Sequence, residues 1–310
     1  GEAALPGCTT AYGKSGAVTF SAWSGRPNAV AGSAFDVTVN LVDPFYNKVA
    51  TDTGVSIRGR TPTDLYDLED WLASNPNNLI AGNHTITFTS VRFYTAATQT
   101  LTVEDTGFRF ASDTSPVVTV EPTDADRLLV VMPGQSRVQG KNTFPVGRSG
   151  DPTVQTAGVA FDVSVYSVDP YYNLVSTAQS ITITRPDDSF SEDSSDPGFA
   201  LPNPFSLTFG SMTVSHANLK FKKAATNRVY AQDLDAGNPS LSAAYSSTFT
   251  VNPNTPVKVQ VRVPLETLEP GCDGYNNGNP CLNGRRTNVT PNTQAADVPF
   301  SVTVNITDAF

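Results

Sequence analysis

The chain alternates apolar and polar positions in short, well-spaced runs. Phe35, Val37, Val39 and Leu41 alternate with Asp36, Thr38 and Asn40, so the first set lines one face of an extended strand and the second set the other. The pattern returns with Phe161, Val163 and Val165 against Asp162, Ser164 and Tyr166. It returns again with Phe300, Val302, Val304 and Ile306 against Ser301, Thr303 and Asn305. Each run predicts a half-buried antiparallel strand. Many such strands, separated by turns rich in Gly, Pro and Asn, predict sandwiches of two packed sheets.

The alternation belongs to an internal repeat. Residues 31–49 read AGSAFDVTVNLVDPFYNKV, and residues 157–175 read AGVAFDVSVYSVDPYYNLV, identical at 13 of 19 positions. A looser third copy, ADVPFSVTVNITDAF, occupies residues 296–310. The correspondence continues beyond this signature: Phe93 matches Phe221, each followed by an Ala-Ala-Thr, and VVTVEP ending at Pro122 matches TFTVNP ending at Pro253. After each closing Pro a fresh apolar strand begins almost at once, at 128–131 and at 257–263. A fixed period of this length indicates an array of similar units. The expected organisation is all-β, tandem immunoglobulin-like antiparallel β-sandwiches: module 1 at residues 1–125, module 2 at 126–254, and the start of a third, incomplete module at 255–310. With almost no linkers between them, the modules are expected to form a semi-rigid array.

One segment departs from the strand pattern. Residues 63–72, TDLYDLEDWL, place Leu65, Leu68 and Leu72 at helical spacing behind a Thr suited to an N-cap, which predicts a short surface helix. The matching stretch of the second copy, residues 187–196, has no apolar period and reads as a solvated acidic loop.

The pattern AG-x-AF-x-V-x-V-x-x-VD-x-[FY]-x-N, then Gly82-x-His84-Thr85, Asp105-Thr106 and a closing Val-x-Val-x-Pro, resembles the immunoglobulin-like repeats of large bacterial cell-surface and secreted proteins. The resemblance covers nearly the whole chain. It implies stalks, adhesins, surface-layer or filament components, or modules appended to secreted enzymes, and it implies no shared catalytic residues. The second copy departs from it at 211–218, where the Gly-x-His-Thr lead-in is missing.

Composition narrows the partners. A net charge of −9 and no window combining Lys and Arg with aromatic residues exclude a phosphate-tracking surface, so nucleic acid is not expected. No apolar run reaches the ~18 residues of a membrane span. The expected location is extracellular or cell-surface, after removal of a signal segment.

Candidate chemistry is sparse. His84 and His216 are the two histidines of the chain, they occupy non-equivalent places, and neither stands in a nucleophile or metal-ligand motif. No catalytic or cofactor-binding residues are expected. Asp43 with Asn47, matched by Asp169 with Asn173, admits two readings. The first is a staple for the turn that leaves the signature strand. The second is an oxygen cage for Ca²⁺. The acidic residues at 187–196 and 273–279 are further calcium candidates. Phe45-Tyr46 and Tyr171-Tyr172 form repeated aromatic pairs; alternation suggests that one of each pair is buried, and the pairs suggest a glycan platform. Asn83, Asn288 and Asn305 match the N-glycosylation pattern.

Cys272 and Cys281 bracket a turn-dense segment and read as a disulfide in an oxidising compartment, with a pair of free thiols as the alternative. Cys8 is the odd one out; Leu5-Pro6-Gly7-Cys8 faintly resembles a lipoprotein attachment box without its preceding apolar segment. The third copy supplies two recognisable strands, too few to bury a core, so it requires either more chain or strands lent by a neighbour. The leading functional expectation is a non-enzymatic stalk, surface-layer or filament subunit that meets other copies of itself or other surface proteins. An adhesin or glycan-binding module and the non-catalytic arm of a secreted enzyme are the alternatives.

Overall fold

A computed structural model describes residues 3–9, 12–15, 28–50, 54–67, 76–192, 194–235, 239–273, 281–282, 284–286 and 293–310. The chain forms two compact units. The first comprises Gly1–Asp124 with the segments Val138–Gly147 and Asp169–Asn173; the second comprises Ala125–Arg137, Arg148–Val168 and Leu174–Phe310.

In the first unit the signature strand Phe35–Asn40 pairs antiparallel with Thr85–Val91. Facing it, Val55–Arg60 is flanked by Asn77–Leu79 and Thr102–Asp105, and the latter continues to Asp113–Thr114. A third set runs Ala29–Val30 parallel to Val118–Glu121, which pairs antiparallel with Thr98–Gln99. Side chains from all three sets, among them Val55, Ile57, Phe88, Val91 and Val120, meet in one buried cluster. Phe35 and Phe93 pack within it, their ring centroids 5.4 Å apart.

The second unit repeats this plan. Its signature strand Val163–Val168 lies between Arg127–Val131 and Ser211–Val214. The facing sheet is Phe205–Leu207, Gln179–Thr184, Tyr230–Asp233 and Ala244–Tyr245 in that order. Gln155–Thr156 again runs parallel to the last strand, Phe249–Asn252, which pairs antiparallel with Thr226–Asn227. This short parallel edge on a mainly antiparallel sandwich is an immunoglobulin-like arrangement. The fold is therefore all-β, as the alternation predicted. Phe161, Phe221 and Phe249 form its aromatic centre, with centroid separations of 5.2 to 5.9 Å; burying each large apolar side chain contributes about 1.5–3 kcal/mol.

The second unit also holds the third repeat's ribbon, Lys258–Arg262 paired antiparallel with Thr303–Thr307. Its apolar residues remain outside the core: Val259 is 72% exposed and Ile306 is 75% exposed.

Two sequence expectations are corrected. Residues 63–67 make successive turns and not a helix, and residues 68–72 lie outside the described part of the chain. The competing force is Asp64, whose carboxylate reaches across to accept the N–H groups of Tyr94 and Thr95, at 2.6 and 3.0 Å, and the Thr95 hydroxyl. Leu65, which a helix would have turned inward, is 77% exposed.

The acidic stretch of the second repeat is likewise not a solvated loop. It makes a 3₁₀ turn at Ser189–Glu192, with Phe190 and Ser191 buried. Asp188 is buried and accepts the N–H groups of Lys222 and Lys223, as Asp64 does at the equivalent place. Asp196 and Asp273 both bind Lys222, whose ammonium is buried and sits 4.7 Å from the Phe199 ring centre. Arg185, also buried, donates to Glu192 and to the carbonyls of Ser191, Phe199, Asn218 and Lys220. Two of the loop's carboxylates, Glu192 and Asp196, thus pair with these buried cations.

Candidate functional site

The most repeated polar feature of the sequence builds the most repeated geometry of the fold. At the end of the first signature strand, Asp43 Oδ1 accepts the N–H groups of Phe45 and Asn47, both at 2.9 Å, and Oδ2 accepts the Asn47 side-chain amide at 3.0 Å. Asp169 does the same for Tyr171 and Asn173, at 2.8, 2.9 and 2.9 Å. Asp308 begins the turn again by accepting the Phe310 N–H at 2.9 Å. A carboxylate that satisfies its own turn's N–H groups fixes that turn locally, so the geometry favours the turn staple of the two readings. Among the described residues no group of three or more His, Cys, Asp or Glu side chains is placed to hold a metal ion.

The staple forces Tyr46 and Tyr172 into the left-handed region, at φ 63° and 65°. Such conformations cost of order 1–3 kcal/mol for a bulky residue. Each tyrosine ring lies on a glycine, Gly13 and Gly147, where a Cβ would collide with it. The expectation that one aromatic of each pair is buried does not hold: Tyr46, Tyr171 and Tyr172 are half-buried, and Phe45 is 63% exposed.

The turns have different surroundings. Within the first unit, Asp169 and Asn173 are fully buried. Asp169 Oδ2 accepts the Thr123 N–H at 3.2 Å. Asn173 accepts from the Ala96 N–H and donates to the Tyr94 carbonyl, both at 2.9 Å. Tyr171 packs edge-on against Tyr94 and covers Gly32, whose φ is 76°. Within the second unit, Asp308 Oδ2 accepts the Asn254 N–H at 2.7 Å, and Phe310 packs edge-on against Phe199 and covers Gly158, φ 73°. Thr123 and Asn254 each follow a closing Pro, and Gly32 and Gly158 are the equivalent glycines of the two Ala-Gly turns. Each glycine is held by its N–H to the carbonyl of the matching phenylalanine, Phe93 or Phe221. The same seat is thus built twice, and the same kind of aromatic turn fills it twice.

A second glycine accompanies each filled seat. Gly140 lies against Thr95, and a Cβ at Gly271 would stand 3.1 Å from the Lys223 backbone nitrogen; Thr95 and Lys223 are equivalent. Both glycines are in hairpins closed alike, Val138 N–H to Gly147 O and Glu269 N–H to Gly284 O, each 2.8 Å. The first repeat has this hairpin too, closed by Leu5 N–H to Gly13 O at 2.7 Å, with Gly7 in the corresponding place. Pro6-Gly7-Cys8 is therefore the counterpart of Pro270-Gly271-Cys272. Sequence reading missed these glycines and Asp64, Asp188, Arg185 and Lys222. The repeated Ala-Gly and Pro-Gly-Cys tripeptides were the available signals.

Electrostatics separates the turns. The Asn47 side-chain amide and backbone N–H hold the Asp43 carboxyl below its ordinary range. Burial pushes Asp169 up, against the opposing pull of the Asn173, Thr123 and Tyr171 donors.

The remaining candidates stand apart. His84 is exposed, and His216 accepts the Asn218 N–H at 3.0 Å as a turn staple. Cys272 is buried against Phe190 and is disulfide-bonded, whereas the Cys281 side chain lies outside the described residues. Cys8 is half-buried. Asn83 is exposed, Asn305 binds Gln260 at 3.2 Å across the ribbon, and Asn288 lies outside the described residues. Of the loop at 273–279, Asp273 binds Lys222, and the rest lies outside the described residues. An open depression of about 500 Å³ in the first unit is lined by Gly54, Asn78, Asp105 and Arg109. Asp105 is desolvated there, yet the Gly107 and Arg109 N–H groups outweigh this and hold its carboxyl low.

No protein-family profile matches the sequence. No curated protein matches it. Among the solved structures that are similar in part are two built of fibronectin(III)-like or FN domains. The fibronectin(III)-like modules of Clostridium thermocellum CbhA share 8% identity over 73% of this chain and 88% of theirs, with a TM-score of 0.20. The FN1-FN3 domains of chicken CNTN1 share 11% over 76% of this chain and 72% of theirs, with a TM-score of 0.28.

Proposed function

We propose that this chain is a non-enzymatic extracellular or cell-surface building block, a part of a stalk, surface layer or filament assembled from immunoglobulin-like repeats. Its modules are residues 1–125 and 126–254, with a third begun at 255–310, and a Cys272–Cys281 disulfide stiffens the last. The observation that carries this reading is the twice-built seat, in which an aromatic turn fills the glycine position left by an Ala-Gly turn. Residues repeated through the sequence are committed to joining repeats and to stapling turns, which is how a load-transmitting array uses them. The likeness of the signature to bacterial cell-surface repeats points the same way, as does a disulfide, which persists in oxidising surroundings.

A glycan platform on the aromatic pairs is less well supported, because Tyr171 and Tyr172 cover Gly32 and Gly147. Electron microscopy with light scattering on native material tests the proposal. Repeated contacts between elongated particles are expected, and compact isolated monomers at every concentration would remove the filament and surface-layer reading.

A further inference from the structure

The first repeat carries every part of the aromatic turn that fills the two seats, but its own turn is in the open. Asp43, Phe45 and Asn47 occupy the places of Asp169, Tyr171 and Asn173, with the same internal hydrogen bonds. The hairpin beside the turn is equivalent as well: Gly7 N–H donates to Phe45 O at 2.8 Å, as Gly271 N–H donates to Phe310 O at 3.3 Å. The surroundings then diverge. Phe45 is 63% exposed, whereas its counterparts Tyr171 and Phe310 cover glycines. Among the described residues a Cβ at Gly7 would meet nothing within 4 Å, whereas Gly140 and Gly271 each abut the segment after the matching phenylalanine. Asn47 is exposed, whereas Asn173 is fully buried and bonded on both sides of its amide.

We propose that the surface formed by Gly7, Asp43, Phe45 and Asn47 is a docking face for a further immunoglobulin-like repeat that presents an uncovered Ala-Gly turn. Phe45 seats on that glycine. Asp43 Oδ2 takes the N–H of the residue after the repeat's closing Pro. Asn47 donates to the carbonyl one residue beyond that repeat's core phenylalanine and accepts the N–H three residues beyond it, as Asn173 does with Tyr94 and Ala96.

The occupant is not a second copy of this chain. Gly32 and Gly158 are already covered, by Tyr171 and Phe310. The third repeat has Asp297 at the corresponding position, at φ 63°, where its side chain would stand in the place of the aromatic ring. The first repeat therefore offers a turn without a seat, and the third offers no seat of this kind. The inference concerns one face only and does not depend on the cellular role proposed above.

The test is the full chain with an added copy of residues 126–264 placed directly ahead of Gly1. In that register Gly1 follows Pro264 as Leu265 does, and the added copy's Gly158 is uncovered. Hydrogen exchange followed by mass spectrometry reads the amides at 43–47, which occur once in this protein. Exchange there should slow by about tenfold or more relative to the unaltered chain, and Gly158→Asp in the added copy alone should abolish the slowing. Circular dichroism and the melting transition of the whole protein report that both versions, added copy included, fold. Equal exchange in the Gly and Asp versions overturns the proposal. So does a dimer of the unaltered chain that is lost on Phe45→Ser, since the face would then bind a second copy.

Discussion

Tyr171 and Phe310 share a role because of what they cover. Both rings lie where a Cβ would be on a glycine of positive φ, so the glycine serves twice, in backbone conformation and in space. Gly32→Ala should therefore destabilise the first unit by about 1–3 kcal/mol, from strain and overpacking together, measured by chemical denaturation; a change under about 0.5 kcal/mol would separate the ring from the glycine. The two aspartates should respond to pH in opposite senses. The Asp43 carboxyl is depressed in the fold, so its contribution is present above the ordinary carboxyl range and is lost as pH falls through that range. The Asp169 carboxyl is raised, so its ionisation opposes folding increasingly as pH climbs from the ordinary range to its folded value. Asp43→Asn should flatten the acid limb of a melting-temperature profile below about pH 4, and Asp169→Asn should steepen it above about pH 4.

Strands were legible in the sequence and the crossing segments were not. Phe161, Val163 and Val165 announce their face by alternation alone, because a strand's period is local and independent of its partners. Residues 187–196 could not be read this way. What folds them is Arg185 together with Lys222, and a charge-rich run looks solvated until its buried counter-ions are known. Residues 63–67, the described part of the helix expected at 63–72, form turns for a related reason, since Asp64 is held by Tyr94 and Thr95, thirty residues on. The candidate turns were visible as Asp43, Asn47, Asp169 and Asn173, but their seats were not, because a glycine's role depends on the ring above it. Removing one charge from the buried cluster is expected to be severe: Asp196→Ala should cost about 3–5 kcal/mol in the second unit. A loss below 1 kcal/mol would mean that Asp273 alone suffices for Lys222.

For the molecule as a whole, the account is that an aromatic turn is held where a glycine of positive φ lies beneath its ring, as at Gly32 and Gly158. The chain contains its own control. The turns at 43–47 and 169–173 share sequence and internal hydrogen bonds, and they differ in whether a glycine seat lies beneath the aromatic ring. The most direct measurement is amide hydrogen exchange of these two segments in the unaltered chain and in Gly32→Asp. The account predicts that 169–173 exchanges about a hundredfold more slowly than 43–47, and that Gly32→Asp brings the two together. Equal rates in the unaltered chain, or a 169–173 segment indifferent to Gly32→Asp, would contradict it.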